Sequence, residues 1–147
     1  DFGSSLGADA GTAGPKPPCA GWRYTVDFEA LSKETLTLGA FKLGCEQTPP
    51  PFSPAVGRLA EQLDPDDWKP YVPNLAFAEM DDEDARWISR RMAQLSRAHL
   101  EAAVSAGRYS DPRDVGYLVD ALARRRDAIV RRYLGDELED TTEDGPS

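Results

Sequence analysis

The sequence holds few of the residues that most often carry chemistry: one histidine and two cysteines in 147 residues. Two isolated cysteines with one histidine are too few for a structural zinc site, which takes four ligands. His99 has no serine or cysteine partner in a recognisable catalytic motif. It falls on a predicted helix, so it reads as a surface or boundary residue rather than a general base. Long apolar runs are also missing. None approaches 18 residues, so no membrane span is expected, and no signal-peptide pattern is visible. Bases are outnumbered, 17 against 26 acids, and the net charge of −9 argues against nucleic acid as a partner. Phosphate-binding loops are absent too. The glycines of the opening "DFGSSLGADAGTAGPKPP" fit neither G-x-G-x-x-G nor G-x-x-x-x-G-K-[ST] in a strand-to-helix context. The acidic "DDEDAR" lacks the alternating oxygen ligands and turn glycine of a calcium loop. It suits a helix N-terminus without metal.

What is present is ordinary for a globular chain: 40% apolar and 29% charged residues, in a length that suits one domain. A chain that opens on Asp1 rather than Met reads as a processed product or a fragment. Three regions are expected: a Gly/Pro-rich loop over 1–21, a single mainly helical domain over 22–134, and an acidic disordered tail over 135–147. The ending "DELEDTTEDGPS" holds six acids and no base, with little that could join a core. The fold class expected is α+β, mainly α-helical. Three or more C-terminal helices would pack with a short N-terminal strand region and long Pro/Gly-rich loops.

The strand comes from "WRYTVDF". Trp22, Tyr24, Val26 and Phe28 alternate with polar residues, the period of a half-buried strand. "LSKETLTLGAFKLG" is ambiguous. It leans to a short helix capped by Ser32, stapled by Leu31 and Leu36, and ending near Gly44. "AVGRLAEQL" can form about two helical turns. "DPDDWKPYVPNLAF" is irregular, because its prolines forbid a long helix. Then the helices follow. The first starts in the acids Asp81–Asp84 and carries Trp87, Ile88, Met92 and Leu95 on one face. The second has Ser96 as its cap, Leu100, Ala103 and Val104 as its inner stripe, and Gly107 as its stop. The third starts at Ser110 or Asp111, keeps helical spacing from Val115 to Tyr133, and ends at Gly135.

Four residues of the aromatic loop are candidates for partner binding: Trp68, Tyr71, Asn74 and Phe77. So aromatic a loop is expected to be pinned to a surface. Arg124, Arg125 and Arg126 point in different directions on a helix and form no single phosphate patch. Arg125 or Arg126 is expected to pair with acids of neighbouring segments. Cys19 and Cys45 form a disulfide candidate worth about 3 kcal/mol if unstrained, with free buried thiols the alternative.

Several stretches in order carry a resemblance: "DFGSSLG", "GPKPP", "PAVGRL", "DPDDWKPYVPNLAF", "DARWISRRM" and "GRYSDPRDVGYLVDALARRRDAIV". Over nearly the whole chain except the tail, they resemble the C-terminal part of an uncharacterised family of exported bacterial proteins. That family is remotely similar to kinase-like folds, with a catalytic-loop His-Asp and an Asn ahead of an Asp-Phe-Gly. The resemblance implies that residues 22–134 are the C-terminal part of a larger kinase-like domain. It implies that Asp1 is a metal ligand in the intact parent, where magnesium and a nucleotide would bind, and that Gly3 lets the chain turn beside it. It implies export, which favours a Cys19–Cys45 bond. The other kinase residues are not in this chain, so no cofactor and no activity are expected of it alone. Two readings remain. One is a non-catalytic structural or interaction segment whose partner is another protein or the parent's N-terminal part. The other is a portion of a kinase-like phosphotransferase in which Asp1 helps bind a magnesium–nucleotide.

Overall fold

The computed structural model describes residues 8–9, 14–15, 19, 26–38, 40, 51–59, 61, 63–70 and 72–143, with backbone alone for 8–9, 14–15 and 136–143. The chain is mainly helical and divides into two compact units. One comprises Asp1–Leu59 and Asp66–Ala78, the other Ala60–Pro65 and Glu79–Ser147.

In the first unit, β1 (Ala8–Asp9) pairs antiparallel with β2 (Gly14–Pro15), Ala8 opposite Pro15. The only other β pairing among the described residues is an isolated bridge, Ser53 to Val56. The short strand region predicted over 22–28 is not supported. Residues 22–25 lie outside the described set, Val26 and Asp27 are not in a strand, and Phe28 opens helix α1 (Phe28–Leu36). The reason is local. Asp27 is extended, and its carboxylate accepts the Ala30 N–H at 3.0 Å, so it starts a helix where the alternation asked for more strand. Ser32 is not the cap. It sits inside α1 and donates to the Glu29 carbonyl at 2.8 Å. The helix ends at Thr37, well short of Gly44, and Leu38 turns the chain in the left-handed region at φ 50°.

The helix expected over "AVGRLAEQL" is absent among the described residues there. Ser53 holds that stretch in a turn, its hydroxyl accepting from the N–H groups of Ala55 and Val56 at 3.2 Å each. The irregular stretch after it does hold one helical turn, α2 (Leu75–Ala78).

The second unit is built on α3 (Asp82–Ala93), α4 (Arg97–Ser105) and α5 (Pro112–Glu143), with both α3 and α4 packed on α5. Each start has a residue suited to it. Asp81 accepts the Asp84 N–H at 2.9 Å. Ser96 and His99 form a reciprocal capping box at 3.2 Å in both directions. Asp111 accepts the Arg113 N–H at 2.9 Å, with Pro112 in the first turn. Gly107 follows the end of α4 as expected, its N–H donating to the Val104 carbonyl at 2.9 Å, and Arg108 then takes the left-handed conformation.

The core of this unit comprises Val104 of α4, with Leu118, Val119, Ala121 and Leu134 of α5. From α3 only Ala85 and Ser89 are buried. Trp87, Ile88 and Leu95, which share a face with Met92 in the sequence pattern, are exposed, and Met92 is half-buried. In α4, Val104 is buried and Leu100 half-buried, but Ala103 is exposed. Gly135 does not stop α5. The helix runs on to Glu143, so the acidic ending begins as helix, and 144–147 lie outside the described residues.

Candidate functional site

The aromatic segment from Trp68 to Phe77 belongs to the first unit. Its shape follows from its sequence. Pro70 and Pro73 keep the chain extended. Asn74 then starts α2, its side-chain oxygen accepting the Ala76 N–H at 2.9 Å while its carbonyl accepts from Phe77 and Ala78. One turn of helix brings Phe77 back to Trp68, and the two rings meet edge to face, 5.0 Å between centroids at 67°. That geometry suits aromatic quadrupoles and is worth about 1 kcal/mol beyond area burial.

The neighbour of Trp68 is anchored as well. The Lys69 ammonium lies 3.6 Å from the Asp27 carboxylate, whose side chain is mostly covered. One carboxylate thus caps α1 and holds the aromatic segment to it. The hydrogen bond from Ala30 leads in holding the Asp27 pKa below its usual value. Burial opposes this, and Lys69 adds to the lowering.

The segment presents apolar surface to solvent. Val72, Leu75 and Phe77 are all at least half exposed, while Trp68 is partly covered. Of the four residues named from the sequence, the structure joins Trp68 to Phe77 directly. It assigns Asn74 to capping, and Tyr71 lies outside the described residues. The exposed aliphatics Val72 and Leu75 are not among those four, because an aliphatic side chain in a loop carries no chemical signature in the sequence. The segment's described residues offer exposed apolar side chains on a stretch held by the ring contact and the Asn74 cap.

The other sequence candidates are more dispersed. Asp1, Gly3 and Cys45 lie outside the described residues. Cys19 is buried and disulfide-bonded. Among the described residues, no group of three or more His, Cys, Asp or Glu is placed to hold a metal ion, and no helix is long and apolar enough to cross a membrane.

The arginines of α5 separate as their helical angles demand. Arg124 pairs with Glu61 of a neighbouring segment. Arg126 pairs with Asp127 at 2.6 Å and donates to the Leu95 carbonyl, which ties the end of α3 to α5. Arg125 is partly buried beside Tyr117. Burial lowers the Arg125 pKa, and it raises that of the Tyr117 phenol, with Glu61 adding to the rise.

No family model, no curated protein and no solved structure matches this chain.

Proposed function

We propose that this chain is a non-catalytic interaction segment of a larger bacterial protein, and that the surface of Val72, Leu75 and Phe77 binds a protein partner. The observation that carries the reading is a run of three solvent-exposed apolar side chains on a segment fastened by a ring contact and a helix cap. Scattered exposed apolar residues are normal. Here three lie within six residues, on a segment fixed by a ring contact, a helix cap and an ion pair. Holding contact groups rigid before binding lowers the entropy cost of association. The disulfide at Cys19 suits an oxidising compartment, in keeping with the export implied by the resemblance. With only one other cysteine in the sequence, Cys19–Cys45 is the intramolecular pairing proposed. Non-reducing peptide mapping of protein from its native compartment checks it, and two free thiols there would end it.

The partner proposed is the parent's N-terminal part. Titrating that segment against the full 147-residue chain is expected to show saturable binding. Leu75→Ala with Phe77→Ala should weaken it by at least about tenfold, the loss of roughly 1.4 kcal/mol at a contact centre. The far-UV circular dichroism should stay unchanged. Absence of binding by the wild-type chain, or binding indifferent to both substitutions, overturns the reading.

A further inference from the structure

The exposed face of α3 has an order of its own. Asp84, Trp87, Ile88 and Arg91 lie within about 100° of the helix circumference, and all four are exposed. Trp87 is 58% and Ile88 43% exposed, on a helix that buries only alanine and serine. Two more apolar residues flank the helix at the same spacing, Met80 before it and Leu95 after it, and they too are exposed.

The stripe is symmetric about the bond between Trp87 and Ile88. Asp84 precedes Trp87 by the same three positions by which Arg91 follows Ile88, and Met80 and Leu95 each lie four positions further out. Read in either direction it runs apolar, charged, apolar, apolar, charged, apolar, with the two charges opposite in sign. Neither Asp84 nor Arg91 makes an ion pair among the described residues. Arg91 instead stacks over its own Trp87, 5.8 Å from the ring centroid.

We propose that α3 is a homodimer interface in which two copies of this chain pair their α3 helices antiparallel about a twofold axis between Trp87 and Ile88. A twofold contact is isologous, so residue i of one copy meets residue j of the other and the reverse. Antiparallel pairing sets Asp84 against the partner's Arg91 twice and Trp87 against the partner's Ile88 twice. Parallel pairing would set Asp84 against Asp84 and Arg91 against Arg91, so the charges select the antiparallel arrangement. The wider charge distribution of the helix agrees, with acids at Asp81, Asp82 and Glu83 at one end and Arg90 beside Arg91 in the last turn. The twelve-residue helix is about 18 Å long. A contact of that length sits at the low end of stable interfaces, so dissociation in the micromolar range is expected.

The inference stands apart from the partner surface at Val72, Leu75 and Phe77, and each is tested by residues the other does not use. Sedimentation equilibrium of the full chain over about 1–500 µM, a range bracketing micromolar affinity, is expected to show the mass rising from 16.1 kDa towards twice that value. Asp84→Arg and Arg91→Asp each turn two attractive contacts into repulsive ones, and each should raise the dissociation constant by at least about tenfold. Mixing the two variants should restore dimerisation, because in the mixed dimer every substituted side chain faces the opposite charge. A wild-type chain that stays at 16.1 kDa throughout overturns the proposal. So does a dimer indifferent to both reversals, or a mixture that does not recover. If a reversal lowers the helical signal, Arg91→Gln removes the charge without inverting it, and a dissociation constant equal to wild type then also overturns the proposal.

Discussion

Two glycines inside α5 offer a sharp test of how far that helix extends. An added Cβ at Gly116 or Gly135 would meet no atom within 4 Å. Alanine there neither clashes nor gains packing, so the backbone effect is isolated. Glycine in a helix interior is about 0.8–1 kcal/mol less favourable than alanine, because the unfolded chain loses more freedom on folding. Gly116→Ala should therefore stabilise by about 0.8 kcal/mol, and Gly135→Ala by the same amount if the helix persists to Glu143. At 1.5 Å per residue the sites are about 28 Å apart, so their effects should add to about 1.6 kcal/mol. Gly107→Ala is the control. Its Cβ would sit 2.8 Å from the Tyr109 ring and 3.0 Å from the Val104 carbonyl oxygen. The strain should cost about 1–2 kcal/mol. Urea denaturation of the wild type, the three single variants and the Gly116→Ala/Gly135→Ala double variant reads each effect as a shift in midpoint at constant slope. If Gly116→Ala stabilises and Gly135→Ala has no effect or destabilises, α5 ends at Gly135 as the sequence pattern expects. The extension to Glu143 is then refuted.

Further outcomes follow from single groups. The hydroxyl of Ser89 is buried with no hydrogen-bond partner among the described residues, so Ser89→Ala should leave stability unchanged or raise it by about 1 kcal/mol in a thermal melt. Leu38 is 96% exposed at φ 50°. Leu38→Gly removes backbone strain and no packing, and should stabilise by about 1 kcal/mol in the same assay. Asp27→Ala removes the α1 cap and the anchor for Lys69, and should cost about 1 kcal/mol at pH 7. The folded-state pKa of Asp27 is lowered, chiefly by the Ala30 N–H. Its contribution is therefore present above the unfolded value of about 3.9 and is lost as pH falls through the folded one. The gap between wild type and variant should close below about pH 4 in denaturation curves.

The C-terminal helices were legible because their signals are local. Asp81, Ser96 and Asp111 each stand ahead of a helix and each cap it. The region before them misled for an equally local reason. Trp22 to Phe28 alternate as a strand does, but Asp27 is placed to cap, and the bond to Ala30 starts a helix at Phe28. Alternation reports which faces could be buried, whereas a cap fixes the backbone directly. Gly135 misled in the other direction. Glycine ends a helix only when it takes the left-handed turn, and here it continues in a helix long enough to absorb its cost. In the aromatic segment, composition pointed to Trp68 and Phe77, which do meet. It could not separate Asn74 as a cap from Asn74 as a binding group, because one side-chain oxygen serves either purpose.

The feature that matters most for function is on α3, where the apolar stripe read from the sequence is exposed rather than buried. Periodicity identifies residues that share a face, and Trp87 and Ile88 do share one. It does not say what covers that face. Ala85 and Ser89 are buried instead, on the helix that packs against α5. Small residues let two helices approach closely, within about 8 Å between axes, and the largest fully buried side chains of α5 are Leu118 and Val119. A tryptophan in that seam would hold the helices apart and break the fit of Ala85. Once α5 is packed on small residues, the large ones of α3 must face away. A stripe that the fold itself excludes from its core, and whose charges invert about its midpoint, is complementary to a second copy of itself.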